Sequence, residues 1–161
     1  MPRRILIVDD HAIVRRMLKV LVETQPEWQV CGEAENGQEA IARVREHKPD
    51  VVIMDMAMPV KDGISASREI SLAMPDVPIV MYTLHYSPEL ELEAKKSGVR
   101  KVVPKAESGE ALLQAIAEVL KGDSTGGRLP TVATQEISPV NNAERSKAAG
   151  CDGQNGPLQK K

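Results

Sequence analysis

Phenylalanine is absent from this 161-residue chain, and Trp28, Tyr82 and Tyr86 are its only aromatic side chains. No row of rings is therefore available to stack the bases of a single-stranded nucleic acid, and any core must be built from Val, Ile, Leu, Met and Ala. Excess positive charge is also lacking. The net charge of -2 gives no basic field for a nucleic-acid duplex, so direct binding to nucleic acid is not expected. Cysteine is nearly absent: Cys31 and Cys151 lie far apart and match no metal-binding spacing such as CxxC. They read as a buried thiol and a tail thiol in a reducing compartment. Long apolar runs are missing as well. Two arginines precede ILIV at the N-terminus, but that run ends at once in two acids, which suits neither a secretion signal nor a membrane span. No membrane association is expected, and the expected location is cytoplasmic.

What is present is enough aliphatic material for one domain, with 42% hydrophobic residues. Five strand-sized apolar runs occur at 5–8, 28–31, 51–54, 79–82 and 99–103. Between them, apolar residues recur at helical spacing, as in Ile13, Met17 and Leu21, or Leu112, Ile116, Val119 and Leu120. Ser87-Pro88 reads as an N-cap followed by proline at the first helical position, and Gly98 and Gly122 stand where helices should stop. Strand and helix thus alternate, which predicts a parallel sheet covered by helices on both faces, because parallel strands need crossover connections. The pattern ends after Lys121. Residues 122–161, with GDSTGG and scattered Pro and Asn, read as a disordered or weakly ordered tail behind a domain over residues 1–121.

The stretch VVIMDMAMP places Asp55 directly after a strand-like run. Burying an unpaired carboxylate costs several kcal/mol, so this position either faces water or serves chemistry that needs a charge. Ligands of open parallel sheets bind beyond the carboxyl ends of the strands, and the residues there form a set. Run one is followed by Asp9-Asp10, run three by Asp55, run four by Thr83, and run five by Lys105 after Pro104. Two carboxylates about 4 Å apart repel by about 4 kcal/mol at an effective dielectric near 20, so three at one rim call for a cation. An all-oxygen donor set favours a hard ion, Mg2+ or Mn2+. Lys105 would supply a second positive charge and Thr83 a neutral donor. A single Asp after a strand is ordinarily a helix cap; the conjunction is what points to a site. His11 reads as the residue that opens the first helix, and Met56 and Met58 as packing.

Over residues 3–121 the chain resembles the receiver domains of two-component response regulators. The resemblance rests on ILIVDD, on DMAMPVKDG around Asp55, on Thr83, and on VVPK ending in Lys105. It implies a flavodoxin-like, doubly wound, five-stranded parallel sheet of order 2-1-3-4-5 with five helices. It further implies that Asp55 accepts a phosphoryl group from the phosphohistidine of a sensor histidine kinase or histidine phosphotransfer protein. In that scheme Mg2+ is ligated by Asp10, by Asp9 largely through water, by Asp55 and by the backbone carbonyl of Ala57. Thr83 and Lys105 would contact the phosphoryl oxygens. Such a domain is a signalling protein, slowly self-dephosphorylating, rather than an enzyme. Its downstream protein target would bind through the fourth and fifth helices, and it would be a monomer or a weak phosphorylation-dependent dimer. CGEAENGQEA and LHYSPELE look most like the subgroup that usually carries a helix-turn-helix output, although no such pattern follows residue 121, which suggests a stand-alone module. The sequence departs from the family where Val102 stands in place of the usual aromatic of the fifth strand, and Pro104 precedes Lys105. Val102 favours an alternative: a binding module that does not depend on phosphate. A hydrolase turning over an aspartyl phosphate finds no cap segment to support it.

Overall fold

The computed structural model describes residues 1–122, so the tail expected from residue 122 onward lies, apart from Gly122, outside the described residues. Ten elements alternate: β1 (Arg3–Val8), α1 (Ala12–Val22), β2 (Trp28–Ala34), α2 (Gly37–His47), β3 (Val51–Met54), α3 (Gly63–Ala73), β4 (Ile79–Thr83), α4 (Pro88–Lys96), β5 (Lys101–Pro104) and α5 (Gly109–Gly122). The strands form one parallel sheet in the order β2-β1-β3-β4-β5, which is the flavodoxin-like arrangement expected. No helix among the described residues is long and apolar enough to cross a membrane.

The period-two geometry of strands divides the core into two layers. Leu6, Val8, Met54 and Met81 face a layer closed by Ile41, Ile64 and Ile70, with Met56 and Met58 packed against it, as expected of them. Ile5, Ile7, Ile53 and Val80 face the other, closed by Leu18, Val22, Ile116 and Leu120. The central strand β3 is buried throughout, which is why VVIM shows no alternation.

Several local expectations need correction. β2 runs on to Ala34, past the apolar run, because it is an edge strand whose mostly half-buried side chains tolerate Gly32 and Glu33. Its register skips Cys31, with Ile5 opposite Val30 and Leu6 opposite Gly32, so Cys31 sits in a bulge and is half-buried rather than buried. β5 starts at Lys101 rather than 99: Gly98 takes a φ of 92° to end α4, and the Val99 N–H still bonds back to the Ala94 carbonyl. Pro104 closes this edge strand opposite Thr83, and the Thr83 carbonyl is met by the N–H of the next residue, Lys105. Ile13 and Met17 point outward; the inward face of α1 is Arg15, Leu18 and Val22. Ser87 does cap α4, accepting from the Leu90 N–H, with Pro88 in the first turn.

Candidate functional site

Register sets the site. Val8 lies opposite Met54, and beyond the strand ends the pairing continues by one residue: the Asp9 N–H donates to the Ala34 carbonyl at 3.1 Å and the Asp55 N–H to the Val8 carbonyl at 2.9 Å. Asp9 and Asp55 therefore leave adjacent strands at the same level. Thr83 ends β4, and the Lys105 N–H donates to its carbonyl at 2.7 Å, which brings the start of the β5–α5 loop to the same rim.

Lys105 closes the corner. Its Nζ lies 2.6 Å from Asp9 Oδ2 and 3.3 Å from Asp55 Oδ1, and 5.7 Å from the centre of the Tyr82 ring, within cation–π range. Burial pushes the Asp55 carboxyl above its ordinary pKa; the neighbouring ammonium of Lys105 opposes this and the Asp9 charge adds to it. Burial works against the charge of Lys105, yet its hydrogen bond to Asp9 and the charge of Asp55 hold its pKa above the ordinary lysine value.

The other predicted residues take different places. Asp10 and His11 stand beside Asp9 with ligand atoms close enough to share one ion. The Oδ1 atom of Asp10 is buried and accepts no hydrogen bond; His11 Nδ1 comes within 2.8 Å of it without hydrogen-bond geometry. A buried oxygen without a donor, next to a second carboxylate, suits a hard cation. His11 is the N-cap residue of α1, and its N–H donates to Asp9 Oδ1 at 2.9 Å. A cleft of about 280 Å3 opens between His11, Asp55, Ala57, Leu84, His85 and Lys105. Ala57 is exposed at this cleft, whereas Thr83 is fully buried beneath it, its hydroxyl accepting the His85 N–H at 3.1 Å.

The β3–α3 loop is braced by close backbone approach. The Gly63 N–H donates to the Met56 carbonyl, and a Cβ at Gly63 would lie 2.1 Å from the Asp55 carbonyl oxygen, so this position admits glycine alone without a shift. Val60 has a φ of 68°, and the Lys61 N–H reaches back to the Pro59 carbonyl at 2.7 Å, forming a strained γ-turn. Asp62 then caps α3 through the Ser65 N–H.

Two residues near the site escaped the sequence reading. Tyr82 faces Lys105, and Arg15 is buried while donating to the Asp9 carbonyl at 2.8 Å. Arg15 had a signal available: it shares the helical face of Leu18 and Val22, so a charge lay on an apolar stripe. The more conspicuous stripe through Ile13 and Met17 hid it.

The chain matches the response regulator receiver domain family over residues 5–117. It is 37% identical over 121 residues to the chemotaxis protein CheY of Thermotoga maritima, an alignment covering 75% of this chain and 100% of that protein. It is 35% identical over 120 residues to the transcriptional regulatory protein YdfI of Bacillus subtilis, covering 74% of this chain but 56% of that protein, so it spans about half the length of that relative. Among solved structures, a LuxR-family two-component response regulator from Aurantimonas sp. SI85-9A1 superposes with a TM-score of 0.73 at 36% identity, over 76% of this chain and 87% of that one.

Proposed function

The chain belongs to the response regulator receiver domains, and on that premise we propose that it accepts a phosphoryl group on Asp55 from a sensor histidine kinase or histidine phosphotransfer protein. The observation that carries this reading is Lys105 bridging Asp9 and Asp55 at the carboxyl rim of the sheet. A lysine drawn from far along the chain to two buried acids is costly as architecture and useful as chemistry.

In the proposed reaction a carboxylate oxygen of Asp55 attacks phosphorus. The bond from phosphorus to the donor's imidazole nitrogen breaks, its electron pair leaves with the imidazole, and an acyl phosphate forms on Asp55. The Lys105 ammonium is within reach to pair with one phosphoryl oxygen. The Thr83 hydroxyl, now an acceptor, can turn to donate to another. Bound Mg2+ or Mn2+, held by Asp9, Asp10, Asp55 and the Ala57 carbonyl, would neutralise charge on the transferring group. Strand placement fixes the direction of attack, since Asp55 is anchored by its own N–H to β1. A downstream protein target would then read the change through α4 and α5, with the chain a monomer or a weak phosphorylation-dependent dimer.

A second reading is favoured by one residue. Val102, half-buried on β5, stands where receivers usually place an aromatic, which suits a binding module indifferent to phosphate. Intact mass after incubation with a small acyl phosphate and Mg2+ separates the two. One phosphoryl adduct on the wild type and none on Asp55→Asn is the expected outcome. An adduct retained by Asp55→Asn would overturn the assignment of Asp55, and no adduct on the wild type would favour the binding module.

A further inference from the structure

Arg15 is a buried charge that the proposed chemistry does not use. It is 8% exposed, on the face of α1 that packs against the sheet. Its guanidinium spans three acceptors from three places: Nη1 donates to the Asp9 carbonyl at 2.8 Å, Nε to Glu33 Oε2 at 3.1 Å, and Nη2 to Glu35 Oε1 at 2.9 Å. An aliphatic side chain would fill the same stripe as Leu18 and Val22 without the desolvation of a cation.

Charge alone does not explain it. Glu33 and Glu35 together more than cancel the single positive charge, so Arg15 brings little net positive potential to the neighbouring carboxylates. Position is what remains. The other polar groups of Asp9 are already held: its N–H by Ala34, Oδ1 by the His11 N–H, and Oδ2 by Lys105. Arg15 takes the carbonyl. That carbonyl belongs to the peptide joining Asp9 to Asp10, so fixing it fixes the plane from which Asp10 departs. Asp10 carries the buried oxygen that lacks a donor.

We infer that Arg15 is a positioning residue for the cation-binding acid pair, its planar fork locking the Asp9–Asp10 peptide so that the Asp10 carboxylate faces the ion. The inference rests on the reading of Asp10 as a ligand. It gives Glu33 and Glu35 a part too, as the anchors that tie the β1–α1 corner to the end of β2.

The test titrates Mg2+ alone into the full chain and follows backbone amide shifts, with thermal melting in the absence of Mg2+ as a separate measure of folding. Groups that orient metal ligands are worth about 10–100-fold in metal affinity, so Arg15→Met should raise the Mg2+ Kd at least about tenfold. Arg15→Lys keeps the charge and loses the fork, and should raise the Kd severalfold. A variant that melts lower but binds Mg2+ with the wild-type Kd would show Arg15 to be a tether between α1 and β2, and the inference fails. If Arg15→Met does not fold, Arg15→Lys decides alone, and an unchanged Kd overturns the proposal. Failure of the wild type to bind Mg2+ would overturn the acid-site reading itself, and this inference with it.

Discussion

Asp55 holds its charge where burial disfavours it. It is 6% exposed, and desolvation with the nearby charge of Asp9 outweighs the help from Lys105, so its pKa lies above the ordinary 3.8. A carboxyl with a raised pKa in the folded state binds its proton more tightly there than in the unfolded chain. Its contribution to stability is therefore fully present below the unfolded value and lost as pH rises through the folded one. Above that value the ionised Asp55 weighs against the fold, a cost that fits the reactivity proposed for it. Asn keeps the shape without the charge, and Lys105 keeps Asp9 as its partner. Asp55→Asn should then melt a few degrees higher than the wild type at neutral pH without Mg2+, given about 4 °C for each kcal/mol in a domain of this size. The difference should shrink as pH falls through the folded-state pKa of Asp55 and its carboxyl takes up a proton. Scanning calorimetry across that range is the check. A lower melting temperature for the Asn variant at neutral pH would mean that the ion pair with Lys105 outweighs desolvation.

The β3–α3 connection shows how an element holds a side chain it does not contain. Gly63 opens α3 with its Cα against the backbone of Asp55, so adding a methyl group forces two backbones apart at the point that aims the carboxylate. Overpacking of this kind costs about 1–3 kcal/mol. Gly63→Ala should lower the melting temperature accordingly and slow phosphoryl transfer, whereas Gly122→Ala, with nothing within 4 Å, should do neither. Equal phosphorylation rates in wild type and Gly63→Ala would show that the loop does not set the angle of Asp55. This elements-first geometry also explains what could be read from sequence. Asp9, Asp55 and Thr83 were legible because each ends an apolar run, and strand ends are where chemistry gathers in such sheets. The extent of β2 was not, since an edge strand carries mixed residues and a bulge. The partners of Arg15 were not legible either, since its glutamates lie 18 and 20 residues away and only the finished corner brings them together.

For the domain to signal, a charge placed at one rim must alter a distant face. Phosphorylation would add about -1.5 to -2 charge and new acceptor oxygens, drawing on Lys105 and on the Thr83 hydroxyl. Swinging the Thr83 side chain about χ1 to reach such an oxygen would carry its hydroxyl away from the His85 N–H, which frees the loop through Leu84 and Tyr86. That loop is exposed and leads directly into the Ser87 cap of α4, so its movement reaches the helix start at little cost. On β5 the situation differs. Val102 lies opposite Met81 and packs against the layer that includes Leu90 and Ala94, where receivers with an aromatic ring have a bulky group able to fill the space behind the threonine. Valine is small and held near one rotamer, so it cannot follow. A ligand shifts an equilibrium only by its difference in affinity for the two states, and a weaker link means a smaller shift. With a beryllofluoride mimic on the full chain, backbone amide shifts should be large from Leu84 to the first turn of α4 and small along β5 and α5. Replacing Val102 by Tyr should extend the changes into β5, provided the fold accepts the ring. Equally large changes across β5 and α5 in the wild type would show that the signal crosses this face without an aromatic residue.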